Sequence, residues 1–146
     1  MYLSCISKST NNTLKNHKQR GAHVFGRLDS IRLQQFTKTN IKWITLVPYG
    51  PQRDFDSPRV DNYYRNLQQK TRRDSMWKSQ INIAHASGFK VFLKPHIWLT
   101  SNTKGKWRSD IFPTSEDNWN QWSSDYSKFI LRYAEIAEET LSLIHI

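Results

Sequence analysis

The sequence predicts an α/β fold, and three observations carry that expectation. Short β-branched or apolar runs alternate with stretches of helical periodicity. Turns leading from helix into strand are tight, around Asn40 and Gly88, whereas those from strand into helix are long. Strands joined through helices in this way run parallel. The chain has 146 residues, of which 37% are hydrophobic and 23% charged, enough to build a packed core. No apolar run approaches the ~18 residues of a membrane span. Cys5 is the only cysteine, so neither an internal disulfide nor a thiolate metal cluster can form.

The elements follow in order. Residues 1–20 form a Ser/Thr/Asn-rich basic segment with too little apolar content to bury anything, expected to be a disordered leader. Ala22–Phe25, between Gly21 and Gly26, is the first candidate strand. Asp29 caps a short helix carrying Ile31, Leu33 and Phe36. Ile41–Val47 is a β-branched strand stopped by Pro48, Gly50 and Pro51. A loop from Tyr49 to Gln69 follows. Asp74 or Ser75 is expected to cap the second helix, whose Trp77, Ile81 and Ala84 share a face, and Gly88 takes the left-handed position beyond its end. Phe89–Leu93 is the third strand, ended by Pro95. After a loop to Pro113, Thr114 and Asp117 resemble a capping box for a long helix over about 115–139. Its Trp119, Trp122, Tyr126, Phe129, Ile130, Tyr133 and Ile136 recur at helical spacing and read as a core-facing seam.

A net charge of +10 with 13% aromatics, six of them Trp, fits two kinds of surface. Lys and Arg can meet phosphates while rings stack on bases, or Trp faces can stack on sugars. The charge is uneven: residues 1–109 hold 20 Lys/Arg against 5 Asp/Glu, and residues 110–146 hold 2 against 7. In parallel α/β folds the ligand site lies at the carboxyl ends of the strands, here the loops 48–73 and 96–114. Lys94, His96 and Trp98 stand together at the end of the third strand, offering two hydrogen-bonding groups and a ring face. His96 has no second ligand at metal-binding spacing, so neither a metal nor another cofactor is expected. Asp54, Asp56 and Asp110 are the carboxylates at this end, though loop Asp residues more often cap turns. No phosphate-cradling Gly loop or nucleophile elbow occurs. Lys70, Arg72, Arg73 and Lys78, with Arg65 nearby, flank the second helix's start, so a small basic nucleic-acid-binding domain is the competing reading.

Several strings together resemble a known family. Lys42-Trp43-Ile44-Thr45-Leu46-Val47-Pro48-Tyr49-Gly50, Gly88-Phe89-Lys90-Val91-Phe92-Leu93-Lys94-Pro95-His96-Ile97-Trp98, Gly105-Lys106-Trp107-Arg108-Ser109-Asp110-Ile111 and the helix from Asn118 to Glu138 resemble the N-terminal part of β-mannanase-like TIM barrels related to glycoside hydrolase family 113. The resemblance implies the first three βα units of a (β/α)8 barrel acting on a β-linked polysaccharide or oligosaccharide by a retaining two-carboxylate mechanism, without a nucleic-acid partner. It carries over Lys94, His96 and Trp98 as substrate-side residues and no catalytic residue. The acid/base Glu of such enzymes follows the fourth strand in a Gly-Thr-Glu-like string, and the nucleophile comes near the seventh. A full barrel takes ~250 residues. The expectation is therefore a barrel portion at 21–140, ended before the fourth strand and inactive alone, with 141–146 as a non-native tail. Tyr2-Leu3-Ser4-Cys5 resembles the end of a lipoprotein signal, which would place the protein at the cell envelope or outside it.

Overall fold

The structure, a computed structural model, describes residues 20–62, 64–101 and 105–144. The leader expected at 1–20 lies outside them except for Arg20, as do Cys5 and the last two residues.

Four parallel strands form the main sheet in the order β1 (Gly21–Val24), β2 (Trp43–Leu46), β4 (Lys90–Leu93) and β6 (Leu143–Ile144). Each neighbour pair is joined through a helix: α1 (Ser30–Thr37), α2 (Leu67–Ala86) and α3 (Glu116–Glu139). The expected α/β class with parallel strands is what forms. The expectation that the array ends before a fourth strand needs correction. Leu143 and Ile144 pair with Phe92 and Leu93, inside the segment read as a tail. A two-residue strand leaves almost no periodicity, so its pairing shows only in three dimensions.

Alternation along the strands sorts the sheet's two faces. Val24, Ile44, Leu46, Val91 and Leu93 are buried in one core with Ile81 and Ala84 of α2 and Phe129, Ile130, Tyr133, Ile136 and Ala137 of α3. The helices therefore lie on that face. The intervening residues His23, Thr45, Phe92 and Leu143 align in register across the other face.

Pro48 and Pro95 were expected to end their strands, yet both strands resume beyond them. β3 (Tyr49–Gln52) and β5 (His96–Leu99) form a second parallel pair in which Tyr49 faces His96 and Pro51 faces Trp98. The register across the break is unchanged, since Leu46 faces Leu93 below it. Two bonds carry the ladder through: the Lys94 N–H donates to the Leu46 carbonyl and the His96 N–H to the Pro48 carbonyl, each at 2.9 Å. Pro48 still accepts although it has no N–H to give. Pro95 lies between two residues that donate toward β2, so its own missing donor faces the opposite edge and costs this ladder nothing.

The helix caps refine the boundaries. Asp29 accepts from the Arg32 N–H at 2.9 Å, as expected. α2 begins at Asn66, which accepts from the Gln69 N–H at 2.9 Å, eight residues before the expected Asp74. Its first two turns, Leu67 to Arg73, are mostly Gln, Lys and Arg, good helix formers with no apolar stripe to betray them. Ser115, rather than Thr114, caps α3 by accepting from the Asn118 N–H. Gly88 has φ +82°, the left-handed conformation expected of it.

The aromatic stripe of α3 divides. Phe129, Ile130, Tyr133 and Ile136 are core, whereas Trp119, Trp122 and Tyr126 are half-buried beside the second sheet. Gln52, fully buried, links the two parts: its Oε1 accepts from Trp122 Nε1 at 2.9 Å, and its Nε2 donates to the carbonyls of Asp54 and Ser57.

Burial raises the Tyr133 phenol pKa to about 12. An unfolded chain ionises this phenol near pH 10, so between pH 10 and 12 the folded state holds a proton that the unfolded state has lost. Stability supplied by Tyr133 is thus full below pH 10 and falls as pH rises toward 12. The shift corresponds to about 3 kcal/mol. Tyr133→Phe should flatten this alkaline loss in urea titrations. An equally steep loss in the variant would assign it to other groups.

Candidate functional site

Pairing of β3 with β5 brings Tyr49, His96 and Trp98 to one place beyond the carboxyl ends of the main sheet. The Tyr49 ring meets Trp98 edge-on at 5.4 Å and His96 at 6.3 Å between centroids. Trp98 remains 44% exposed, an accessible indole at the end of a strand.

A second segment completes the cluster. Residues Arg108–Asp110 form one turn of 3₁₀ helix. Asp110 closes it, its Oδ2 accepting from the Trp107 N–H at 2.7 Å and its own N–H donating to the Trp107 carbonyl at 2.9 Å. The turn places Arg108 against two indoles, its guanidinium carbon 5.3 Å from the Trp98 centroid and 4.7 Å from that of Trp107. Arg108 Nη1 also comes within 3.3 Å of His96 Nδ1. A neighbouring bond from the Phe112 N–H to the Phe55 carbonyl, 2.9 Å, ties the two long loops together.

Of the three residues expected at the site, His96 and Trp98 meet in this cluster. Lys94 lies between the two sheets, half-buried, with its backbone in the ladder. Its ammonium has no hydrogen-bond or ion-pair partner among the described residues. Tyr49 and Arg108 belong to the cluster but were not singled out from the sequence. Tyr49 has a legible counterpart: Pro48-Tyr49 matches Pro95-His96 as the first residue beyond a strand-breaking proline. Arg108 reaches the cluster only through a loop conformation, which leaves no periodic signal. Beside the cluster opens a cleft of about 430 Å³, lined by His96, Ile97, Arg108, Trp119, Trp122 and Tyr126.

Two of the three candidate carboxylates, Asp54 and Asp110, have local tasks. Asp110 holds its turn, and Asp54 Oδ1 accepts from the Phe55 N–H at 2.9 Å in the loop that Gln52 organises. Among the described residues, no group of three His, Cys, Asp or Glu side chains could hold a metal ion. No described helix is long and apolar enough to cross a membrane. Two cations in the basic stretch of α2 are engaged within the fold, Lys70 with Asp74 at 2.8 Å and Lys78 with Glu139. Arg72 and Arg73 line a separate cleft of about 460 Å³ with Arg27.

These features define an α/β protein with a parallel sheet and an aromatic, cationic cluster at its carboxyl edge. The model of Glycoside Hydrolase Family 113 matches residues 15–146, and the chain belongs to that family. Its fold is similar to that of a family 113 β-mannanase from Alicyclobacillus acidocaldarius solved in complex with ManMIm. That match has a TM-score of 0.66 and 22% identity, over 84% of this chain and 41% of the other. A structure of a family 113 β-1,4-mannanase matches with a TM-score of 0.62 and 23% identity, over 84% of this chain and 42% of that one. A complex structure of a family 113 β-1,4-mannanase gives 0.60 and 24%, over 75% and 35%. The chain thus spans about two fifths or less of the length of these neighbours. No curated protein matches it.

Proposed function

We propose that this chain forms part of a TIM barrel acting on β-mannan-type polysaccharide, and that it supplies substrate-side contacts rather than the reacting carboxylates. The observation that carries this reading is the arrangement of Trp98, His96 and Arg108 at the carboxyl edge of the sheet, in a member of a glycoside hydrolase family. A sugar presents apolar C–H faces and a rim of hydroxyls. Trp98 offers an exposed ring for the former, and His96 and Lys94 offer hydrogen-bonding groups for the latter. The three neighbouring structures, all described as mannanases, favour a mannan over other β-linked polymers.

Retaining cleavage takes two carboxyl groups about 5–5.5 Å apart, one an acid/base and one a nucleophile. Asp54 and Asp110 do not fit that role, because each holds its own loop. The proposal assigns the pair to barrel segments outside these 146 residues, as the family resemblance implies.

The 146-residue chain should bind mannotetraose by calorimetry, lose that binding on Trp98→Ala, and release no reducing sugar from β-mannan. Absence of binding, or measurable hydrolysis by this chain alone, would refute the assignment. When the chain is joined to the remaining strands of its barrel, His96→Ala should lower kcat/KM at least about tenfold, the scale of one lost hydrogen bond to substrate. An unchanged rate would remove His96 from the site.

A further inference from the structure

The contact between Arg108 and His96 fixes more than a position. A guanidinium is always protonated and carries only donors. Arg108 Nη1, 3.3 Å from His96 Nδ1, can hydrogen-bond to that atom only if Nδ1 is the acceptor. A neutral imidazole that accepts at one nitrogen carries its proton on the other. Unconstrained, the guanidinium would swing with its three-carbon stem, but cation–π contacts to the Trp98 and Trp107 rings, 5.3 and 4.7 Å from its carbon to the centroids, restrain it. Asp110 fixes the turn from which it projects.

We propose that Arg108 is a positioning residue that locks His96 in the Nε2–H tautomer, so that the imidazole acts toward a bound sugar as a hydrogen-bond donor. The recognised sugar atom is then an acceptor: a ring, glycosidic or hydroxyl oxygen approached through its lone pair. In the opposite tautomer Nδ1–H would point at a cation, and the ring would ask the sugar for a proton instead. The consequence for the sugar rests on the substrate reading given above, whereas the tautomer itself does not.

The test is the imidazole nitrogen spectrum of the 146-residue chain, uniformly labelled with 15N and held near pH 8, where an ordinary imidazole is neutral. His96 is assigned by the signal that His96→Gln removes. The expected spectrum shows Nδ1 unprotonated and Nε2 protonated. Arg108→Met keeps the length of the stem and removes the donor, so its His96 should show the averaged shifts of two exchanging tautomers. Arg108→Lys keeps a donor and should retain the parent pattern. An Nδ1–H tautomer in the parent chain overturns the proposal whether or not the variants fold, and so does an unaltered Nε2–H tautomer in Arg108→Met. Mannotetraose affinity, measured on the same samples, should fall about tenfold in Arg108→Met and less in Arg108→Lys. If the parent chain shows the locked tautomer and binds no mannotetraose, the tautomer stands and the substrate reading fails.

Discussion

Phe129→Ala should cost this fold about 3–5 kcal/mol, the range for emptying a buried aromatic site. The side chain is fully buried at the middle of α3, in the core that holds the main sheet's Ile44, Leu46, Val91 and Leu93. Its ring lies 5.3 Å from Tyr133 and 6.5 Å from Tyr126 by centroid. Above it sits Gly50 of β3, where a Cβ would come 2.9–3.1 Å from three atoms of the ring. The glycine is therefore required by close approach, with no unusual backbone angle involved. A loss of this size is a large share of the roughly 5–15 kcal/mol that holds a domain together. Urea unfolding followed by Trp fluorescence would measure it, and a loss below about 1 kcal/mol would show that the helix does not depend on this contact.

The same contact predicts a coupled pair. Gly50→Ala alone should destabilise by about 1–3 kcal/mol through overpacking. With Phe129→Leu beside it the added methyl has somewhere to go, so the double variant should lose less than the sum of the two single changes. Because Gly50 faces Ile97 across the β3–β5 pair, this packing also supports the strand that carries His96 and Trp98. Both single variants should weaken mannotetraose binding along with stability.

How much of this was legible in the sequence depends on what each feature required. Ile41–Val47 announced itself because β-branched residues run up to a proline, and Gly88 because only a left-handed turn needs glycine there. The second sheet was hidden by the same rule that found the first: Pro48 and Pro95 read as stops. They end the named strands, yet the Lys94 and His96 N–H groups bridge the break and the pairing continues at unchanged register. The first two turns of α2 were hidden because their residues favour helix without forming a stripe. For the candidate cluster, chain position pointed to His96 and Trp98, and the fold brings those two together. Their partners Tyr49 and Arg108 come from other segments, and neither strand pairing nor loop conformation is written in local periodicity.

The segment least suited to sequence reading carries the second large expected effect. Asp74, expected as a helix cap, lies inside α2 and holds α3 instead. Its Oδ1 accepts from Arg132 Nε at 2.6 Å, and its Oδ2 from Lys70 Nζ at 2.8 Å. Arg132 is only 4% exposed. Its Nη1 donates to the Asn62 carbonyl at 3.2 Å, and its guanidinium carbon lies 5.0 Å from the Tyr64 ring and 5.2 Å from that of Tyr133. Removing the carboxylate leaves a buried cation whose desolvation is no longer offset, so Asp74→Asn should destabilise by about 3–5 kcal/mol. Arg132→Met removes the cation and keeps much of the side-chain volume, leaving Asp74 its second partner, Lys70. It should therefore cost less than Asp74→Asn. The double variant buries no unpaired charge at this position and should be more stable than Asp74→Asn alone. That ordering separates a buried ion pair from a surface one, where all three variants would fall within about 1 kcal/mol of the parent. Salt gives the independent check. A pair this shielded should lose little of its coupling between low and high ionic strength, whereas an exposed pair would be screened away. If the coupling energy in the four-variant cycle vanishes in high salt, Arg132 is hydrated in solution and the α2–α3 contact rests on its apolar residues and the Lys78–Glu139 pair.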